Sequence, residues 1–140
     1  MVLQPQAVEA IVRHAAGEYP EECCGAMVGV LDGDNRLVHG AWPIANDAPA
    51  RGRRFAVAPA EYRRLEQRAR ESGVDLVGFY HSHPDAPAAP SDYDLAHAWP
   101  HFSYVIVSVR AATPVAITSW RLRQDRSEFE SEEITWAHGS

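Results

Sequence analysis

Residues 74–94 read VDLVGFYHSHPDAPAAPSDYD. The first seven, VDLVGFY, form a nearly continuous apolar run, the pattern of a strand buried in the middle of a sheet. The run is expected to stop at His81-Ser82-His83. A Pro/Ala-rich loop, PDAPAAP, follows. A short helix is expected to begin near Ser91 and to end before Pro100. His81 and His83 stand two apart, so strand alternation points both imidazoles to one face. Two imidazoles on one face can hold one metal ion, and Asp94, in the first turn of the helix, can supply a third ligand. Two histidines and one carboxylate leave a fourth tetrahedral position for water, which is the pattern of a catalytic rather than a structural zinc site.

Working outward, Val8, Ile11, Val12 and Ala15 share one helical face, so residues 5–18 are expected to form an amphipathic helix whose end is punctuated by Gly17 and Pro20. CCGAMVGVL (23–31) reads as a buried strand, and the turn Asp32-Gly33-Asp34-Asn35 leads into a second, RLVHGAW. Residues 43–54 read as a loop and FAVA (55–58) as a short strand. Pro59 suits the first turn of a second helix over 59–72, with Gly73 at its C-terminal cap. Tyr62, Leu65, Glu66 and Ala69 share its packing face. Three β-rich runs close the chain: SYVIVSVR (103–110), VAITSWRLR (115–123) and SEFESEEITW (127–136). The last alternates Phe129, Ile134 and Trp136 with acids, as an edge strand with one solvated face does. The expected architecture is a single α+β domain over residues 1–140, with a central mixed sheet flanked by helices and no internal repeat.

Length and composition agree. A chain of 140 residues suffices for one domain with a real core, and 46% hydrophobic with 23% charged residues exclude disordered and fibrous classes. A net charge of −6 repels phosphate backbones, so no nucleic-acid partner is expected. Cys23 and Cys24 are the only cysteines and are adjacent, a spacing at which a bond would strain the intervening peptide. The absence of a disulfide framework suits a reducing compartment. Glu9, Arg13 and Glu18 interrupt the N-terminal apolar residues, against a signal peptide, and no run approaches the roughly 20 apolar residues of a membrane span. These features point to a cytoplasmic protein with no membrane partner; oligomeric state is not readable.

Each site residue has a plainer reading when taken singly. Strand-end histidines are commonly exposed polar residues, and Ser91-Asp92-Tyr93-Asp94 is a good helix N-cap with an acidic first turn. The combination decides otherwise. At this chain's content of 7 His, 9 Ser and 8 Asp, random placement yields H-x-H, seven residues, Ser, two residues, Asp with a chance on the order of 10⁻³.

That spacing, as GFYHSHPDAPAAPSDYD, resembles the signature of the JAMM (MPN-plus) metalloprotease family. The resemblance extends upstream to PEECCGAMVG, where the family form Glu-x-Cys-Gly selects Glu22 over Glu21, and spans roughly residues 5–122. It implies the JAMM/MPN, cytidine-deaminase-like fold, with Zn²⁺ held by His81, His83 and Asp94. It further implies that Glu22 shuttles the proton from the attacking water to the leaving amine and that Ser91 donates a hydrogen bond to the oxyanion forming on the scissile carbonyl. The compact chain resembles the stand-alone prokaryotic type, whose partners are ubiquitin-like sulfur-carrier proteins. The implied reaction is hydrolysis of a peptide or isopeptide bond after their C-terminal Gly-Gly, whether to release cysteine, to trim the tail or, as a deubiquitinase-like isopeptidase, to reverse conjugation. The alternatives are a non-catalytic MPN-type scaffold, a thiol enzyme using Cys23 or Cys24, and a small-molecule amidase. Cys23 and Cys24 read as buried small apolar residues. His97, three residues after Asp94, reads as surface or packing, with a fourth ligand as its sharper alternative, and His101 lies beyond the helix. His14 and His39 carry no motif. The Arg51/Arg53/Arg54 cluster reads as a solvated loop.

Overall fold

The computed structural model describes residues 1–44 and 57–136. Its elements in chain order are β1 (Val2–Leu3), α1 (Pro5–Glu18), β2 (Cys24–Asp32), β3 (Asn35–Ile44), α2 (Pro59–Glu71), β4 (Asp75–Pro84), α3 (Asp92–His97), β5 (Ser103–Arg110), β6 (Thr113–Leu122), β7 (Phe129–Glu132) and β8 (Thr135–Trp136).

All eight strands join one mixed sheet in the order β7-β6-β5-β4-β2-β3-β1-β8. β4 and β5 run parallel, as does β1 to both of its neighbours; the remaining pairs are antiparallel. β7 and β8 lie at opposite ends of this order although only Glu133 and Ile134 separate them in the chain. Three peptide steps reach at most about 11 Å, so the sheet must curl until its two edges nearly meet. α1 fills the hollow. It touches β3, β4, β5 and β6, which a flat sheet with strands about 4.8 Å apart would spread beyond the width of one helix. Ala7, Ile11 and Ala15 of α1 pack there on Met27, Val38 and Val107. On the convex face Leu65 and Ala69 of α2 cover Ala26, Phe79 and Tyr104.

A β-bulge sets which residues of β4 face which layer. Met27 pairs with Gly78 but Val28 with Leu76, leaving Val77 as an extra residue. Alternation changes phase across such an insertion. Val77 and Tyr80 accordingly belong to the α1 core, whereas Leu76 and Phe79 belong to the α2 core. His81 and His83 follow Phe79 onto the α2 face.

The first helix occupies the expected residues, and Gly73 at φ 70 caps α2 as expected. Four readings need correction, and one element was not foreseen. β4 does not stop at His81-Ser82-His83 but continues through Pro84, paired residue by residue with β5. The run 127–136 is not one edge strand: it breaks into β7 and β8 at opposite edges of the sheet. The two-residue β1 was not expected. Pro43 and Ile44, read as loop, extend β3. The rest of the 43–54 loop, with the Arg51/Arg53/Arg54 cluster, and half of the FAVA strand lie outside the described residues; Val57 and Ala58 are not strand. Among the described residues no helix is long and apolar enough to cross a membrane.

Candidate metal centre

The end of β4 carries His81 and His83 on the α2 face, and α3 brings Asp94 to them. Ser91 caps α3: its Oγ accepts from the Asp94 N–H at 3.0 Å, and the Asp94 carboxylate accepts from the Ser91 N–H at 2.9 Å. This capping box satisfies two orphan donors of the helix end. It also holds Asp94 Oδ2 in one orientation, 3.3 Å from His81 Nε2 and 3.2 Å from His83 Nε2, while the two Nε2 atoms are 3.1 Å apart. The N-cap reading of Ser91–Asp94 holds, and the same cap places the Asp94 carboxylate where it could serve as a ligand.

Zinc–ligand bonds of 2.0–2.1 Å at tetrahedral angles separate neighbouring ligands by about 3.3 Å. The observed triangle of 3.1, 3.2 and 3.3 Å is one face of such a tetrahedron. Among the described residues this is the one group of three or more His, Cys, Asp or Glu able to hold a metal. The His83 Nδ1–H donates to the Pro87 carbonyl at 2.8 Å, which fixes the ring with Nε2 turned into the triangle. No sequence signal could have singled out Pro87, because its contribution is a main-chain oxygen.

Charge follows the same design. Burial lowers the pKa of His81 despite the neighbouring carboxylate, favouring the neutral ring a metal needs. Burial acts against the Asp94 charge too, but hydrogen bonds from His81 and His83 outweigh it and hold that carboxyl well below the usual range. For His83 burial is outweighed in the other sense: the bonds to Asp94 and Pro87 raise its pKa.

Glu22 arrives from the far side of β4. Cys24 pairs with His81, and the Ser82 N–H donates to the Cys23 carbonyl at 3.0 Å. The next step of this antiparallel register sets Glu22 opposite His83 on the same face. Glu22 is 3% exposed. Burial pushes its carboxyl up to about 8, with His83 pulling downward and Asp94 pushing upward. Glu22, His83 and Ser91 line one open cleft of about 420 Å³, together with Pro84, Ala86 and Pro87 of the following loop. The Ser91 Oγ uses a lone pair for its cap bond, so its O–H remains available as a donor in that cleft. All five expected site residues are brought together.

A family described as prokaryotic homologs of the JAB domain matches residues 4–123. The chain belongs to this family. The desampylase of Haloferax volcanii is 37% identical to it over 111 residues, covering 76% of this chain and 78% of that protein. The CysO-cysteine peptidase of Mycobacterium tuberculosis is 30% identical over 123 residues, covering 87% and 82%. Among solved structures, a protein of Desulfitobacterium hafniense superposes with a TM-score of 0.85 at 31% identity, covering 99% of this chain and 94% of that one. The JAMM resemblance read from the motif, and the α+β fold it implied, both hold.

In this JAB-domain chain the other candidates fall away. Cys23 and Cys24 are buried and form no disulfide. Burial pushes the Cys23 thiol up to about 11, the opposite of a nucleophile's need. His97 is exposed, stacks on Tyr93 with ring centroids 4.0 Å apart, and uses Nδ1 on the Tyr93 carbonyl. It is not in the ligand group. His101 is exposed; its carbonyl accepts from Arg36 and its ring stands edge-on to Phe102 at 5.0 Å between centroids. His14, which carried no motif, bonds the hydroxyl of the fully buried Tyr80 at 2.8 Å.

Proposed function

We propose that the chain is a zinc peptidase of the JAMM type that hydrolyses the peptide or isopeptide bond following the C-terminal Gly-Gly of a ubiquitin-like sulfur-carrier protein, in the cytoplasm. His81, His83 and Asp94 hold the metal, Glu22 is the proton shuttle and Ser91 is the oxyanion donor. The observation that carries this reading is the 3.1–3.3 Å triangle, one corner of which, His83, lines the same cleft as the buried Glu22. The substrate class is supported by the relatives, one named for desampylation and one for cleaving a CysO-cysteine bond.

Zinc in that triangle supplies a Lewis acid for the scissile carbonyl and a water acidified to near neutral pH. The residues do the rest. Glu22, buried beside His83, receives the proton of the attacking water and passes it to the leaving amine. Ser91 directs its O–H at the negative charge growing on the carbonyl oxygen, a contribution of about 3 kcal/mol for one well-placed donor. Pro87 holds the His83 ring through its Nδ1 so that neither ligand nor cleft wall turns during the cycle. Glycine on the acyl side lets the substrate backbone lie close beside Glu22 and Ser91. Cysteine release, tail trimming and deconjugation all break this same bond and use the same residues.

The test is zinc content of the purified protein together with hydrolysis of a ubiquitin-like sulfur carrier bearing one residue beyond Gly-Gly. Near-stoichiometric zinc and chelator-sensitive cleavage are expected. Glu22→Gln is expected to keep the zinc and to lose about 10²–10⁴ in kcat. Failure to take up zinc on reconstitution would overturn the reading, as would a fully active Glu22→Gln protein.

A further inference from the structure

Glu22 sits outside β2, two residues before its first strand residue, Cys24. The proposed shuttle needs a fixed place opposite His83, and the chain on either side of it is bracketed. On the inner side the bracket is plain: the Ser82 N–H donates to the Cys23 carbonyl at 3.0 Å, and the Cys23 N–H donates to Ser82 Oγ at 2.8 Å. The outer side is held by a side-chain pair. The Tyr19 hydroxyl donates to Asp85 Oδ2 at 2.6 Å, joining the residue three before Glu22 to the residue two after His83.

Asp85 is itself anchored. Its N–H donates to the Val109 carbonyl at 2.7 Å, and its Oδ1 accepts from the Ala111 N–H at 3.5 Å. Its φ of 54 is a left-handed conformation that aspartate tolerates better than most residues. Tyr19 is fixed from the other direction as the C-cap of α1. Neither side chain lines the cleft.

We propose that Tyr19 and Asp85 form a clasp that positions Glu22 against His83. They are positioning residues and touch no reacting group. Magnitudes separate this from a merely structural bond. Asp85 is exposed and Tyr19 half-buried, and exposed polar pairs contribute little to global stability. A shift of a catalytic group by about 1 Å, in contrast, can cost about 10²-fold in rate. Loss of the clasp therefore reads out in turnover and in local opening, not in the melting temperature.

This inference rests on Glu22 being the shuttle, so its test has one arm that needs no activity. Amide hydrogen exchange is measured in the purified protein and in Tyr19→Phe, which removes only the hydroxyl. Exchange at Glu21, Glu22 and Cys23 is expected to quicken about tenfold, the size of a hydrogen bond to a charged acceptor, while amides of β5 stay unchanged. In the second arm, Tyr19→Phe and Asp85→Gly are each expected to lower kcat on the carrier substrate about tenfold with KM within about twofold and zinc content unchanged. The double variant is expected to lose no more than either single, the mark of one shared interaction. Asp85→Asn keeps an acceptor and the left-handed φ, and is expected to recover most of kcat. Unchanged exchange at residues 21–23, or losses that multiply in the double variant, would overturn the clasp. If the unsubstituted protein cleaves no carrier, the functional reading fails while the exchange arm still decides the clasp.

Discussion

Asp94 combines a helix cap with its proposed ligand role, and replacing it separates the two. Its carboxylate closes the capping box of α3 and also forms one corner of the ligand triangle. Asn at this position retains an oxygen that can accept the Ser91 N–H, so the cap survives; Ala removes it. N-cap losses cost about 1 kcal/mol, so in chelator Asp94→Ala is expected to be less stable than Asp94→Asn by at least that amount. The oxygen that Asn keeps also stands against His81 and His83 Nε2, so the difference includes whatever uncharged contact it makes with them and the cap sets its lower bound. Metal linkage is a separate quantity. With free zinc at about 100 times its Kd, binding to the native state alone adds ~2.7 kcal/mol. For a chain of this length each kcal/mol moves Tm by roughly 2–4 °C, so zinc is expected to raise the unsubstituted protein's Tm by about 5–10 °C over chelator. Neither variant is expected to show that rise. Thermal melts of the three proteins in zinc and in chelator give both numbers from one set of curves. An Asp94→Asn protein that retained the zinc-dependent shift would refute Asp94 as a ligand. Equal melts of the two variants in chelator would refute the energetic role of the cap.

Three further perturbations probe the scaffold. A Cβ on Gly25 would stand 2.3 Å from the ring and hydroxyl of Tyr80, which is fully buried and bonded to His14. Gly25→Ala is therefore expected to lose about 2–4 kcal/mol, overpacking plus the displaced hydrogen bond, in urea unfolding; the increment should drop below ~1 kcal/mol in a Tyr80→Val background, and an unchanged increment would show that the clash is not with Tyr80. Ala111 and Ala112 turn the β5–β6 hairpin at φ 48 and 64, a two-residue connection that favours Asn-Gly. Replacing the pair by Asn-Gly is expected to stabilise by about 1–2 kcal/mol, and a melt with no gain would refute strain there. Burial lowers the pKa of His14, against a smaller upward pull from Glu18, so the unfolded chain takes up this proton at a higher pH than the native state does. The associated stability is present above the unfolded value of about 6.5 and is lost as pH falls below it toward the native value. His14→Gln is expected to flatten that part of the stability–pH curve, and an unaltered slope would show that His14 does not contribute to it.

Much of this was legible from the chain, and the exceptions have physical causes. Helix α1 was readable because its apolar residues keep the 3.6 period over fourteen residues. β1 has two residues, too few to display any period; it exists because the curled edge of the sheet offers it two partners. The run 127–136 carries its break in its spacing. Phe129 and Ile134 are five apart, an odd spacing that cannot keep both on one face of a continuous strand. The chain does break between them, and the two pieces serve opposite edges. β4 was cut short at His81 because polar residues normally mark the end of a buried strand. Here they lie inside it, for a reason that belongs to the site: three candidate ligand atoms within 3.3 Å of one another need a held backbone, and β5 pairs it through Pro84 while β2 pairs it as far as His81.

The bulge at Val77 was the feature that no period could disclose, and the site depends on it. In the α1 core alternation serves Val77 and, after the bulge, Tyr80; in the α2 core it serves Leu76 and then Phe79. Without the extra residue, a β4 still packing its Leu76 and Val77 as it does would turn His81 and His83 toward α1, away from Asp94 and the cleft. The same insertion brings Tyr80 under Gly25, which explains physically why the Glu-x-Cys-Gly stretch needs its glycine: any side chain there would push on the strand bearing the ligands. Glu22, His81, His83 and Gly25 are therefore consequences of one register. The motif spread over residues 22–94 is the linear trace of two neighbouring strands and a capped helix, and this is why residues so far apart in the chain could be read together.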